Sequence, residues 1–197
     1  MKVISELLLY LLAAAFIQNF ILTTGFGSSI MLRIVRRPKD ILLFSGLLVG
    51  FSLLTVLIGY PCDRLMGTGQ LAKLIRPVVM IAIAAVLYIL TVVVLRRFLP
   101  AVFQRLSRLL ALAAFNNVVI GIALISNHRF SSLPSAIGLS LGACLGFLVL
   151  AWLTAEGMER LDNPDMPQSF RGLPATLVYL GLLALALLGF FQNVPLL

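Results

Sequence analysis

The feature that most constrains this chain is a long run without any charged residue, which extends from Leu7 to Leu32. A helix of that length can cross a hydrocarbon core of about 30 Å, because each residue adds about 1.5 Å. Residues 17–29 nevertheless contain a Gln-Asn pair, two threonines, two glycines and two serines. Polar groups without partners cost several kcal/mol each at membrane depth. The run therefore predicts a membrane helix that is broken or irregular within this stretch.

The composition is that of an integral membrane protein. Hydrophobic residues make up 61% of the chain and charged residues 11%, whereas apolar residues are about 45–50% of an ordinary soluble domain. The net charge is +8, but the basic residues stand in short runs between apolar segments, as they do in the loops of multi-pass membrane proteins. We therefore expect no nucleic-acid partner.

Uncharged apolar runs of about 18 residues or more predict six transmembrane helices. The predicted fold class is an all-α integral membrane protein, with a single transmembrane domain over residues 1–197. The predicted spans are Val3–Thr24, Ile41–Tyr60, Val78–Leu95, Leu109–Ser126, Pro134–Ala155 and Leu173–Phe191.

The distribution of basic residues predicts the orientation of these spans. Ten of the 15 lysines and arginines fall in the loops after the first, third and fifth spans. Cytoplasmic loops of membrane proteins carry the excess of Lys and Arg. Both termini are therefore expected outside the cytoplasm.

Three spans in each half of the chain allow two inverted repeats, over about residues 1–97 and 98–197. An odd number of spans reverses the orientation of the second half. A short internal echo favours the repeats, since AFIQN at residues 15–19 resembles AFNN at residues 114–117, and Gly25 and Gly121 follow. The first helix of each repeat is thus expected to be broken or irregular.

Two interpretations of these segments stay open. Half-helices that end at membrane depth leave backbone groups free to face an ion or a cofactor. Alternatively, the small residues allow helices to pack closely, and an asparagine forms hydrogen bonds across the helix interface.

The remaining side chains argue against catalysis by this chain alone. The spans have no Asp, Glu, Lys or Arg in their interiors, whereas proton relays need ionisable groups there. Carbonyl and amide oxygens could still hold sodium. Cys62, Cys144 and the single histidine, His128, have no metal-ligand spacing, so no metal site is predicted. The sequence contains no nucleophile–base pair or phosphate-binding loop.

Three segments carry a family resemblance: QNFIL at residues 18–22, NNVVIGIAL at residues 116–124, and residues 159–172, which begin with ERL and end with MPQSFRG. They resemble the A subunit of the Rnf electron-transport complex and the related E subunit of the sodium-pumping NADH:quinone reductase. The resemblance extends from the first span to the last. Its most specific part is the loop that ends with Phe170, Arg171 and Gly172. It implies six spans, inverted repeats and termini outside the cytoplasm.

The resemblance also identifies where this chain departs from the family. In the family, each half supplies a cysteine that helps to hold an iron–sulfur cluster together with a sister subunit. The corresponding positions here are Ser29 and Asn117. A [2Fe–2S] cluster normally takes four ligands, mostly thiolates, and an amide is a poor substitute. We therefore predict that the cluster is absent or is held in a changed way. The residues expected to line the central site around these positions are Asn19, Gly25, Gly27, Asn116 and Gly121.

The resemblance implies a membrane subunit of an Rnf-like ion-translocating oxidoreductase complex, paired with a homologous E-type subunit of opposite topology. Other subunits would carry flavin and iron–sulfur centres, and the loop 170–172 would be an assembly surface. The location would be the cytoplasmic membrane of a bacterium or archaeon, with membrane lipid around the helices. The alternative is a small transporter or scaffold with the same repeats and no redox role, which the missing cysteines favour.

Overall fold

The computed structural model describes residues 2–17, 19–25, 27–67, 69–129, 132–161 and 167–191, and every regular element in these ranges is helical. Gln18 and residues 162–166, which belong to the segments with the family resemblance, lie outside the described residues. The elements are α1 (Lys2–Leu12), a π turn (Ala13–Ile17), α2 (Phe20–Thr24), α3 (Ser28–Ile34), α4 (Pro38–Met66), α5 (Gln70–Phe98), α6 (Pro100–Ala114), α7 (Asn117–Arg129), α8 (Leu133–Leu161), a 3₁₀ turn (Gln168–Phe170) and α9 (Leu173–Phe191).

Fewer helices qualify as membrane spans than the six predicted. In the described part of the chain, α4, α5 and α8 are long and apolar enough to cross a membrane. Helices α6 and α7 are separated by a short break at which the chain bends by 43°. They provide a fourth crossing if together they form one broken span. At the two ends of the chain, α1 with its π turn and α9 are apolar but shorter. The chain is thus an all-helical membrane protein with three to four candidate spans.

Several helices contain a predicted span but begin or end at other residues. Helices α4, α5 and α8 extend beyond the predicted second, third and fifth spans, because charged residues such as Arg64 and Arg96 lie on exposed faces and do not interrupt them. The helix expected to begin at Leu109 begins at Pro100. Proline is favoured in the first helical turn, where its missing N–H has no partner to lose.

Helices α4 and α8 form the core pair. Phe44 and Phe147 pack with their ring centroids 5.3 Å apart. The Ser52 and Ser140 hydroxyls lie 2.6 Å apart and form a hydrogen bond across the same interface, which satisfies two groups that hydrocarbon cannot. Around this pair, α1 and the π turn pack on α8, α6 and α7 pack on α4, α5 packs on α4 and α6, and α9 packs on α8.

A stripe of glycines on α8 allows α1 to approach closely. Gly138, Gly142 and Gly146 recur at every fourth position, so they lie on one helix face. A β-carbon at Gly138 would lie 2.5 Å from the Leu7 carbonyl oxygen, and one at Gly142 would overlap the Leu11 carbonyl. Small residues at such spacing are typical of close helix packing in membranes. The stripe therefore fixes α8 directly against the backbone of α1.

Candidate functional site

The first helix break lies between the π turn and α2. Asn19 occupies it with 5% of its surface exposed. Its Nδ2 donates hydrogen bonds to the carbonyl oxygens of Ala15 and Gly146, both at 3.3 Å. A helix break frees carbonyls that membrane hydrocarbon cannot satisfy. The Asn19 amide therefore replaces part of the lost backbone bonding and ties the break to α8.

Two glycines turn the chain from α2 into α3. The φ angles of Gly25 and Gly27 are 72° and 77°, a left-handed conformation that other residues adopt only with strain. The Ser28 hydroxyl donates to the Gly25 carbonyl at 2.8 Å, and the Met31 N–H donates to the Gly27 carbonyl at 2.8 Å. The break predicted within residues 17–29 is thus present and is built by Asn19 and these glycines.

The second break separates α6 from α7 at Phe115 and Asn116. Asn116 is fully buried. Its Oδ1 accepts a hydrogen bond from the Val118 N–H at 3.0 Å, and its carbonyl accepts one from the Val119 N–H at 3.0 Å. Asn116 is therefore the N-cap of α7 and satisfies the N–H groups that have no partner at a helix start.

The two breaks are in contact. A β-carbon built on Gly27 would lie 3.0 Å from Asn116 Oδ1 and 2.9 Å from Val118 Cγ2. Gly27 and Asn116, about 90 positions apart in the chain, can approach each other because Gly27 has no side chain. Phe147 on α8 also lies next to Gly27, 3.5 Å from the same β-carbon position. The sequence placed both Asn-Gly segments at membrane depth but contained no signal for which pair of atoms would touch.

The contact leaves one buried donor without a partner. Asn116 Nδ2 has no hydrogen-bond acceptor among the residues that the structure describes, while the Oδ1 of the same amide is committed to Val118. Buried amides nearly always form hydrogen bonds, because an unpaired one in an apolar interior is costly. The Asn116 amide is therefore a candidate binding group at the meeting of the breaks.

The predicted site residues divide into a buried set and an exposed set. The buried residues are Asn19, Gly27, Asn116 and Gly121. The exposed residues, on the surface of this single chain, are Gly25, Ser29 and Asn117. Four of the predicted residues thus lie inside the helix bundle, and the two positions predicted to correspond to the family's cysteines lie on its outside.

The chemistry that these side chains offer is hydrogen bonding. The runs Leu7–Leu32 and Leu109–Asn127, which contain the two breaks, have no ionisable side chain apart from tyrosine hydroxyls. Amides, hydroxyls and backbone carbonyls can hold an ion or a polar group, but they cannot act as a general acid or base at neutral pH. The side chains at the breaks therefore offer hydrogen-bonding groups but no general acid or base.

The donor set does not match an iron–sulfur cluster. Ser29 and Asn117, the positions predicted to correspond to the family's cysteines, supply a hydroxyl and an amide, whereas thiolates are the usual ligands of such clusters. Cys62 lies near the end of α4, and Cys144 is buried within α8 among core residues. Within the described ranges, no group of three or more His, Cys, Asp or Glu side chains could hold a metal ion.

The loop with the family resemblance lies on the surface. Phe170 is 56% exposed, and Arg171 and Gly172 are also exposed. Gly172 has a φ angle of 78° and lies beside a cavity of about 550 Å³, which Arg36 and Glu159 also line. The loop is thus accessible to another protein.

Comparison with known proteins identifies the family. The family model for the membrane proteins called Rnf-Nqr subunits matches residues 7–193. The chain belongs to the Rnf-Nqr family. The membership predicted from residues 18–22, 116–124 and 159–172 is therefore confirmed.

Relatives in the Rnf-Nqr family match over nearly their whole length. The A subunit of the ion-translocating oxidoreductase complex of Pasteurella multocida is 29% identical over 193 residues, which cover 94% of this chain and 97% of that protein. The protein of the same name from Syntrophotalea carbinolica is 30% identical over 192 residues, or 96% and 98% of the two chains. The A subunit of the Na⁺-translocating ferredoxin:NAD⁺ oxidoreductase complex of Acetobacterium woodii is 29% identical over 189 residues, or 93% and 96%.

Proposed function

We propose that this chain is a membrane subunit of an Rnf-like ion-translocating oxidoreductase complex. The observation that carries the proposal is the match with A subunits over more than nine tenths of both chains. The chain is not catalytic alone, because the helix breaks offer only hydrogen-bonding groups. Its role is to form part of the transmembrane core, while partner subunits carry flavin and iron–sulfur centres.

The packing of the helices supports two inverted repeats, about residues 1–97 and 98–197, within one transmembrane domain. The first helix of each half packs on the second helix of the other: α1 packs on α8, and α6 with α7 packs on α4. The two second helices, α4 and α8, pack on each other. Such reciprocal packing, in which the first helix of each half contacts the second helix of the other half, is expected when a pseudo-two-fold axis relates two inverted repeats. In this arrangement α1 to α3 and α9 complete six crossings.

The exposed sides of the two breaks support a homologous partner of opposite topology. Gly25, Ser29 and Asn117 are exposed although they belong to uncharged membrane segments. Lipid cannot satisfy hydroxyl and amide groups at that depth, whereas another membrane protein can. We place a membrane subunit of the E type against this surface, with Asn19, Gly27, Asn116 and Gly121 supporting it from inside.

Our proposal for the cofactor follows from the donor set. The family's [2Fe–2S] cluster is absent here, or it is held in a changed way that does not use Ser29 and Asn117 as ligands, because a hydroxyl and an amide are poor substitutes for its thiolates. Iron content and the EPR signal of the complex purified from native membranes test this proposal. If the cluster is absent, the membrane subunits should give no cluster signal. A cluster with Ser29 and Asn117 among its ligands would contradict the proposal.

The missing thiolates also favour a second candidate function, a small transporter or scaffold without a redox role. The exposed loop at Phe170–Gly172 favours the complex instead, as an assembly surface. Affinity purification of the chain at its native expression level separates the two candidates. Flavoproteins and ferredoxin-like subunits should co-purify with a member of an Rnf-like complex, and isolation as a lone homodimer would support the alternative.

The membrane location and orientation complete the proposal. We place the chain in the cytoplasmic membrane of a bacterium or archaeon with both termini outside the cytoplasm, since ten of 15 basic residues lie in loops that would then be cytoplasmic. Labelling of single cysteines in intact cells checks the orientation. A cysteine at the N-terminus should react with an impermeant reagent, whereas one at Lys39 should not.

A further inference from the structure

A basic groove lies between the α3–α4 connection and α6. Its volume is about 930 Å³. The charged residues that line it are Arg33, Arg36, Arg37, Asp40, Arg105 and Arg108. Five arginines thus face one groove with a single carboxylate among them.

Among the residues that the structure describes, no ion pair neutralises the arginines of this basic groove. In the part of the chain that the structure describes, the ion pairs are Arg76–Asp63 and Arg160–Glu156, and neither involves a groove residue. Like charges gathered at one place repel each other, and the repulsion is strongest where the surroundings are apolar. A bound anion would remove this repulsion, so the groove is suited to an anionic ligand.

The basic groove lies at the boundary between charged and apolar sequence. Arg33 is the first charged residue after the uncharged run Leu7–Leu32, and Arg108 is the last one before the uncharged run that begins at Leu109. Both ends of the groove are therefore at the depth where a hydrocarbon core meets the lipid headgroups.

Apolar side chains also line the basic groove. Ile34, Leu109 and Leu112 line it together with the arginines, and Ile34 and Leu109 are buried. An acidic protein surface or a free phosphate ion would use only the guanidinium groups. A phospholipid would use both kinds of side chain, since its phosphate is anionic and its acyl chains are apolar.

We propose that the basic groove binds an anionic phospholipid, with the lipid phosphate held by the arginines of α3, the α3–α4 connection and α6. Guanidinium groups suit this ligand because they contact phosphate oxygens in a bidentate manner. Basic pockets between membrane helices are known to hold anionic headgroups. The bound lipid would join the two halves of the chain at one membrane surface, because α3 belongs to the first half and α6 to the second.

Lipid binding to the full chain, purified in detergent, tests the proposal. Native mass spectrometry with added phosphatidylglycerol or phosphatidylcholine gives the affinity for each lipid. Phosphatidylglycerol should bind more tightly. Each arginine near a lipid surface contributes about fivefold to such binding, so the Arg33→Gln/Arg108→Gln double variant should lose about 25-fold in phosphatidylglycerol affinity. Phosphatidylcholine binding should not change.

A matched control removes the same charge outside the basic groove. Arg96 and Arg97 lie exposed in the last turn of α5, on the side that carries most of the basic residues. The Arg96→Gln/Arg97→Gln variant should keep its phosphatidylglycerol affinity within about twofold. If the Arg33→Gln/Arg108→Gln variant does not fold, the single Arg36→Gln variant replaces it, with an expected loss of about fivefold.

Several results would overturn the proposal. They are equal affinity for the two lipids, equal losses in the groove variant and in its control, or complete displacement of the lipid by millimolar inorganic phosphate. The last result would assign the basic groove to a free anion. A photoreactive amino acid at position 36 could instead cross-link to an acidic protein, with no lipid bound in the native complex. That result would assign the basic groove to a protein partner and would also overturn the proposal.

Discussion

The contact between the two helix breaks makes a quantitative prediction for Gly27→Ala. A β-carbon at this position would lie 2.9 Å from Val118 Cγ2 and 3.0 Å from Asn116 Oδ1. Both neighbours are at most 1% exposed, so they have little room to move. Packing an additional methyl group into such a site costs about 1–3 kcal/mol. The left-handed backbone of a non-glycine residue adds about 1–2 kcal/mol. We expect a total loss of about 2–5 kcal/mol in the free energy of unfolding.

Gly25→Ala is the matched control. Gly25 has nearly the same φ angle, 72° against 77° for Gly27, but a β-carbon there would have no atom within 4 Å. Its loss should therefore be only the backbone contribution of about 1–2 kcal/mol. The difference between the two variants isolates the contact of the breaks and should be about 1–3 kcal/mol.

Unfolding with SDS in mixed micelles, followed by circular dichroism, measures these free energies. A Val118→Ala substitution should partly relieve Gly27→Ala, because it removes the methyl group that the new β-carbon meets. If Gly27→Ala is no more destabilising than Gly25→Ala, the two breaks do not touch at Gly27 and Asn116.

Three further predictions concern the packing of the helices. Gly142→Ala should lower the free energy of unfolding by about 2 kcal/mol or more, because its β-carbon would overlap the backbone of α1; SDS titration measures the loss. A double-mutant cycle of Ser52→Ala and Ser140→Ala should give a coupling energy of about 0.6–1.7 kcal/mol for their hydrogen bond. Arg76→Gln should destabilise the protein by about 3–5 kcal/mol, because it leaves the largely buried carboxylate of Asp63 without its ion-pair partner. Adding Asp63→Asn should recover part of this loss in the same SDS titration.

Each of these predictions has a control in the chain. Gly46→Ala should be neutral or stabilising, because a β-carbon there meets nothing within 4 Å and alanine is the better helix former. Ser107→Ala should show no coupling with Ser140→Ala, since the Ser107 hydroxyl is bonded to the Gln104 carbonyl on its own helix. Arg64→Gln should cost less than Arg76→Gln, because Arg64 is exposed. If the variants and their controls lost the same free energy of unfolding, the described helix packing would be wrong.

Much of the helical framework follows from the uncharged runs of the sequence. Helices α4, α5 and α8 contain the predicted second, third and fifth spans, because long apolar runs in this chain have few ways to satisfy their backbone groups other than as helices. The ends were less predictable. The helix that begins at Pro100 starts well before the apolar run at Leu109, since α6 is amphipathic and its arginines lie on an exposed face.

The types of residue at the helix breaks could be predicted from the sequence, but the contacts between the breaks could not. Asn19 and Asn116 were expected at helix breaks, because they are the polar side chains that such breaks need, and the structure has them there. The contact of Gly27 with Asn116 depends on how two distant segments pack, and one sequence contains no record of that. The glycine stripe Gly138–Gly146 is visible in the sequence as a repeat at every fourth residue, but the repeat does not tell which helix packs against it.

Site-specific photo-cross-linking in native membranes tests most directly the central claim, that a homologous membrane subunit packs against the exposed side of the two helix breaks. A photoreactive amino acid at Asn117, the exposed residue next to the buried cap Asn116, should cross-link to a second, homologous membrane subunit that mass spectrometry identifies. The same probe at Val86, which is 64% exposed on α5, is the control and should label only lipid. If the probe at Asn117 also labels only lipid or a second copy of this chain, the proposed subunit pairing at the helix breaks is wrong.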